Sequence, residues 1–292
     1  MIVYHESVLL KEAVEHLKIK DGRKYIDCTL GDAGHTIEIL KNGGLVLGID
    51  QDPQGLERAK ARVEEAFNGP NPNFKPVLGN FKNVADLAQA NGFERVDGVL
   101  YDIGTSFVQL SDVGRGFSFD STAELDMRMS PDLSLKASDL VNALSEKELT
   151  KLIFDYGEDK FAHKIAKAVV KARKEERIQT CRQLTQVIES VVPRFKGVKI
   201  HPATRTFQAL RIAVNDELNN FDISLSKVAT EPLVIPGGRL VIITFHSLED
   251  KLAKVARPGL REILRKPLTA SPEEIKANYR ARSAKLRVYE KI

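Results

Sequence analysis

Residues 25–52 read YIDCTLGDAGHTIEILKNGGLVLGIDQD, and this stretch decides the fold. Tyr25, Ile26, Cys28 and Leu30 make an apolar run of strand length, followed by a turn with Gly31 and Gly34 and then a helical segment. A second apolar run, Leu45-Val46-Leu47-Gly48-Ile49, ends on Asp50. That order suits an adenosine-bearing cofactor. Glycines allow positive φ and a close ligand approach, a helix start offers unpaired N–H groups, and a carboxylate at a strand tip accepts from ribose hydroxyls. The spacing is G-x-x-G, whereas a dinucleotide pyrophosphate calls for G-x-G-x-x-G; this favours S-adenosylmethionine, which has no phosphate. A glycine turn that only joins strand to helix carries the same local sequence.

Outward from this unit, strands are expected at 24–29, 45–50, 75–79, 97–103 and 239–245, with amphipathic helices at 54–67 and 82–91. A βαβ crossover takes roughly 30 residues, and the interval between Gly104 and Arg239 is far longer, so something is inserted there. Leu149, Leu152, Ile153, Phe161, Ile165, Val169, Leu184, Val187 and Ile188 recur at helical spacing. The expected architecture is α/β: a Rossmann-like sheet domain from residues 1–106 and 204–292, interrupted by a helical domain at 107–203. Residues 204–229 read as one long helix rejoining the sheet domain, and Pro236-Gly237-Gly238 as the turn into the last strand.

The 292 residues are 42% hydrophobic, enough for one large core or two smaller ones. Cys28 and Cys181 are the only cysteines, which offers neither a disulfide framework nor a zinc spacing and points to a reducing, cytoplasmic compartment. MIVYHESVLLKEAVEHL carries charges throughout and resembles neither a signal peptide nor a membrane span. The net charge of +4 is unevenly spread: residues 1–158 hold 17 basic and 26 acidic residues, and 159–292 hold 27 and 14. Such a split suggests a polyanionic substrate, most simply nucleic acid. Lys160 to Arg177 fits a solvated helix as well as a contact surface, whereas ARSAKLR near the end favours contact with a phosphate backbone.

Asp102 stands at the tip of the fourth strand and His246 just past the fifth, where ligands bind in this fold. His246 suits either a hydrogen-bonded structural role or proton acceptance. LDMRM at 125–129 and PATRTFQALR at 202–211 mix polar and apolar groups densely, as a site or as a buried ion pair would.

These blocks together resemble the bacterial 16S rRNA cytosine-N4 methyltransferases (RsmH, or MraW). The resemblance runs from His5 to Arg287 through Asp27-Cys28-Thr29, Gly34-His35, Gly48-Ile49-Asp50, Asp52-Pro53 and Asp97-Gly98-Val99-Leu100. It continues through Asp102, Gln109-Leu110, RGFSF at 115–119, LDMRM, Tyr156-Gly157-Glu158, PATRTFQALRI, FHSLED at 245–250 and RSAKLR at 282–287. It implies a class I methyltransferase domain with a helical insertion that meets RNA. S-adenosylmethionine would lie against Ala33, Gly34, His35, Asp50, Phe81, Asp102 and Gln109, with no metal. The substrate would be a cytidine near the decoding centre of the small ribosomal subunit. Phe81 follows the third strand, placed either to pack in the core or to stack on adenine.

Several positions depart from the family pattern. Asp32-Ala33 replaces a more glycine-rich turn, Ser7 and Tyr279 replace prolines, Ala123-Glu124 replaces Gly-Pro, and Thr105 and Phe107 replace small or β-branched residues. The (N/D)PP(Y/F) motif common among related amino-methyltransferases is absent.

The implied reaction is an in-line displacement at a sulfonium methyl, in which positioning supplies much of the rate. The cytosine amine is a weak nucleophile, and an acceptor holding one of its N–H groups would localise its lone pair. Asp102, through its carboxylate or a neighbouring carbonyl, is the candidate catalytic group. An NAD-dependent oxidoreductase would need a pyrophosphate-fitting turn and a hydride-handling pair. A non-catalytic RNA-binding factor would not need Asp50, Asp102 and Gln109 together.

Overall fold

A computed structural model describes residue 4 and residues 6–105, 112–193 and 201–292. The chain divides into two compact units, one formed by Met1–Ser106 with Leu218–Ile292 and the other by Phe107–Glu217.

The first unit is built on a seven-stranded sheet of order β3-β2-β1-β4-β5-β7-β6. Its strands are β1 (Lys24–Asp27), β2 (Leu45–Asp50), β3 (Phe74–Leu78), β4 (Val96–Asp102), β5 (Val234–Thr244), β6 (Leu260–Glu262) and β7 (Lys285–Lys291). The first five run parallel, while β7 lies antiparallel to β5 and β6. Parallel strands covered on both faces read as continuous apolar runs, which is why LVLGI and VLY stood out. Alternate residues feed separate cores. Tyr25, Val46, Leu100, Val241 and Ile243 pack on one side with helices α1 (Leu10–Leu17), α2 (Gly34–Lys41) and α3 (Pro53–Phe67). Ile26, Leu47, Val99, Tyr101 and Ile242 pack on the other with α4 (Val84–Ala90). Asp52 caps α3 by accepting from the Gln54 N–H, with Pro53 in the first turn, where its missing donor costs nothing.

The second unit contains α5 (Ala137–Ala143), α6 (Glu146–Gly157), α7 (Ala162–Glu175), α8 (Cys181–Glu189) and α9 (Thr204–Asn215). Leu149, Ile153, Ile165, Val169, Leu184 and Ile188, picked out by their spacing, are buried in its core. The LDMRM block is scaffold. Leu125, Met127 and Met129 are buried, the Asn215 amide bridges the Met127 carbonyl and the Met129 N–H, and Arg128 grips Asp126 with two nitrogens at 2.7 and 2.8 Å.

The expected long helix at 204–229 is two helices. Asp216 adopts a left-handed conformation (φ 50°) and ends α9; α10 (Glu217–Thr230) follows. Phe207, Leu210 and Val214 of α9 fill the helical core, and Phe221, Leu225 and Val228 of α10 fill the second core of the sheet unit. The division therefore falls after Glu217 rather than after residue 203. The charge split does not follow the units either: the sheet unit holds 26 basic and 24 acidic residues and the helical unit 18 and 16, so each carries +2.

The C-terminal strands were not anticipated. β5 starts at Val234 and runs through Pro236-Gly237-Gly238, where its register to β4 shifts. RSAKLR, expected as a phosphate-contacting tail, leads into β7. Leu286 and Val288 enter one core, while Arg287 is 5% exposed with its Nε 2.8 Å from Asp250 of α11 (Ser247–Lys254). Lys285 joins the same carboxylate at 2.9 Å. Its basic residues hid the strand because their charges are neutralised within the fold. Removing the acid leaves the buried guanidinium, among the described residues, only the more distant Glu262, at 3.6 Å, so Asp250→Ala is expected to cost about 3 kcal/mol, read as a fall in the urea midpoint. An unchanged midpoint would refute the pairing.

Candidate functional site

The chain runs outward from β1 through β2 to β3, then crosses back to β4 on the other side of β1. Such a reversal leaves a crevice at the C-terminal ends of the strands. Asp50 ends β2 and Asp102 ends β4, one on either side of the turn that leaves β1.

That turn is tied down from beneath. Asp27, 1% exposed, accepts from the Thr36 hydroxyl at 2.8 Å and from the Thr29 N–H at 3.1 Å. Thr29 Oγ1 accepts the Asp102 N–H at 2.6 Å. Asp50 ties together the turns after β1 and β2, accepting from the Gly31 N–H and the Asp52 N–H, each at 2.9 Å. A carboxylate has about four lone-pair sites, so Asp50 keeps acceptors for a ligand's hydroxyls.

Ala33 is wholly buried with φ 59°, a left-handed backbone usually left to glycine. It starts α2 without a side-chain cap. At Gly34 a Cβ would lie 1.9 Å from Ser7 Oγ, so only glycine fits without displacing Ser7. The additional acid of this turn is neutralised: Arg58 Nε lies 3.1 Å from Asp32, and Arg62 donates to its carbonyl at 2.8 Å.

His35 is buried, its Nε2 3.2 Å from the Val8 carbonyl oxygen. A carbonyl only accepts, so the ring proton sits on Nε2 and Nδ1 offers a lone pair. Nδ1 is 3.7 Å from Asp102 Oδ2. Burial lowers the His35 pKa to about 4, so the ring is neutral at pH 7. The Asp102 side chain is 24% exposed, yet its Oδ1 is buried and has no hydrogen-bond partner among the described residues. Burial, then the nearby Asp27 and Glu249 charges, hold its pKa well above the usual carboxylate range. Asp27 and Asp50 are likewise raised, mainly by burial, to about 6 and about 7.

Phe81 lies just past β3 in a short 3₁₀ turn, half-buried, its ring edge-on to Tyr101 at 6.0 Å between centroids. Its carbonyl accepts from Ser224, whose hydroxyl is 2.6 Å from the Tyr101 hydroxyl. Of its two sequence readings, the structure shows the core packing, with the ring only partly buried. Gln109 and Phe107 lie outside the described residues. His246 serves α11: its Nδ1 accepts from the Glu249 N–H, while Glu249 accepts from the Phe245 and His246 N–H groups. The sequence reading singled out Asp50 and Asp102 but assigned nothing to Asp27, Thr29 and Thr36, which hold the turn between them. An acid within an apolar strand was the signal for that network.

A raised carboxyl holds its proton more tightly folded than unfolded, so stability should climb as pH falls through about 7 and then about 6. Thermal melts between pH 8 and pH 5 test this, and Asp50→Asn should flatten the upper part of that rise.

A family model of the MraW methylases matches residues 2–292. The ribosomal RNA small subunit methyltransferase H of Deinococcus radiodurans is 47% identical over 291 residues, covering 98% of this chain and 89% of that protein. The protein of that name from Clostridioides difficile is 42% identical over 317 aligned residues, covering both chains in full. Among solved structures, an rRNA methylase from Streptococcus thermophilus aligns over 99% of each chain, with 11% identity and a TM-score of 0.40.

Proposed function

The chain belongs to the MraW methylase family, and on that premise we propose that it transfers a methyl group from S-adenosylmethionine to the N4 amine of one cytidine in 16S rRNA, close to the decoding centre of the small subunit. The observation that carries this reading is the buried Oδ1 of Asp102 at the tip of β4, which has no hydrogen-bond partner among the described residues. A buried acceptor without a donor is costly and points to a donor supplied by a ligand.

The crevice suits the cofactor in charge. Among the described residues no lysine or arginine pairs with Asp27, Asp50 or Asp102, and His35 is neutral. A sulfonium would supply the missing positive charge. When bound, S-adenosylmethionine provides an activated methyl group. Asp50 would accept from the ribose hydroxyls, Phe81 would lie against adenine, and Ala33-Gly34-His35 would let the backbone come close. Gln109 completes the proposed set.

Asp102 does the chemical work of holding. Its carboxylate accepts one N4–H, which localises the amine lone pair on the line of attack; as the carbon–nitrogen bond forms and the methyl–sulfur bond breaks, that proton passes to the carboxylate. The Asp102 N–H bond to Thr29 fixes the backbone from which that carboxylate projects. The target base is reached unstacked, in a loop or flipped from a helix. The helical unit recognises the RNA, and the protein works in the cytoplasm.

The test is methyl transfer from labelled S-adenosylmethionine to small subunits from cells lacking this enzyme, with the nucleosides identified by mass. Labelled N4-methylcytidine is expected. Asp102→Ala should lower kcat by about a hundredfold or more while the fold survives. Label on another nucleoside, or near-normal turnover by that variant, would overturn the assignment.

A further inference from the structure

The helix α7 presents a row of lysines that its own unit leaves unneutralised. Lys164, Lys167, Lys171 and Lys174 are all exposed. At 100° per residue they fall within about 80° of one another and extend over about 15 Å. None has a carboxylate partner within salt-bridge distance among the described residues; Lys164 lies only over the ring of Phe161. Some other cations of the same unit are paired, Lys136 with Glu124 and Lys151 with Asp155 among them. The opposite side of α7 is apolar, with Ile165, Ala166 and Val169 buried in the core, so packing fixes the direction of the row.

Beside it runs an open groove along the outer face of α6, lined by Thr150, Lys151, Phe154 and His163 among others. Phe154 is 61% exposed, an unusual place for a phenyl ring in a helix whose other large apolar residues turn inward. Of the acids on this groove, Asp155 meets Lys151, and Glu146 stands 3.8 Å from His163.

We propose that the lysine row of α7 seats an RNA phosphate backbone and that Phe154, beside it, is a stacking platform for an unpaired base. Unpaired like charges held in a row by a packed helix match a polyanion, and a free aromatic face at the edge of such a row matches the π-face of a base. This rests on the rRNA reading above and adds the surface that does the gripping.

The experiment compares wild-type protein, a combined K164Q/K167Q/K171Q/K174Q variant and Phe154→Ala. Each is measured for binding to protein-free 16S rRNA and to unmethylated small subunits across a potassium chloride series, alongside S-adenosylmethionine titration. The quadruple variant should weaken RNA binding and reduce the slope of log K against log salt by about 3. Phe154→Ala should weaken binding about tenfold with its slope intact. Both should bind the cofactor as wild type does. An unchanged slope and affinity in a quadruple variant, when the wild type binds and methylates the RNA, would overturn the proposal alone. Loss confined to assembled subunits would assign the row to a ribosomal protein and overturn it too. Failure of the wild type to bind or methylate the RNA would remove the rRNA reading itself, and this proposal with it.

Discussion

The reversal of strand order at β1 is the constraint on which the rest of the sheet unit depends. Parallel strands joined by right-handed crossovers place their helices on opposite faces when the chain changes direction. α2 and α3, which carry the chain outward, pack on one face, and α4 and α10, which bring it back across, pack on the other. The turns at the ends of β1, β2 and β4 consequently diverge. Asp27, Asp50 and Thr29 hold its rim by hydrogen bonds to backbone N–H groups and hydroxyls rather than by packing.

Those bonds let this region accept strain and charge together. Ala33 takes a left-handed backbone, and three carboxyls crowd together under partial or full burial. Such features persist where the surroundings over-determine them, and they accumulate where a ligand is to be met. The comparison with Asp250 is instructive: that acid has Arg287 and Lys285 beside it, and its hydrogen bonds to them outweigh burial and hold its pKa below the usual range.

Much of this was legible in the sequence, for reasons that differ by element. β1, β2 and β4 announce themselves because strands buried on both faces must be apolar throughout. The helices of the second unit announce themselves because a one-sided core imposes a 3.6-residue period. β7 did not, because Lys285 and Arg287 satisfy their charges on Asp250 after folding, a pairing between residues far apart in the chain. The break at Asp216 was hidden because α9 and α10 each keep helical periodicity while addressing different cores. LDMRM looked like a site because polar groups among apolar ones are needed equally for chemistry and for a buried ion pair, and Asp126–Arg128 shows the second use.

The interrupted layout also bears on how the molecule comes into being during synthesis. The helical unit occupies one continuous stretch, Phe107–Glu217, so all of its partners lie within that stretch. The sheet unit needs β5 and β7, which follow that stretch, before the edge of β4 is covered. On a ribosome the chain therefore offers a unit able to collapse while the first four strands still wait, with one flank of β4 open, for partners not yet made. The crevice between Asp50 and Asp102 takes its final shape late, only once the last strands have been translated and docked.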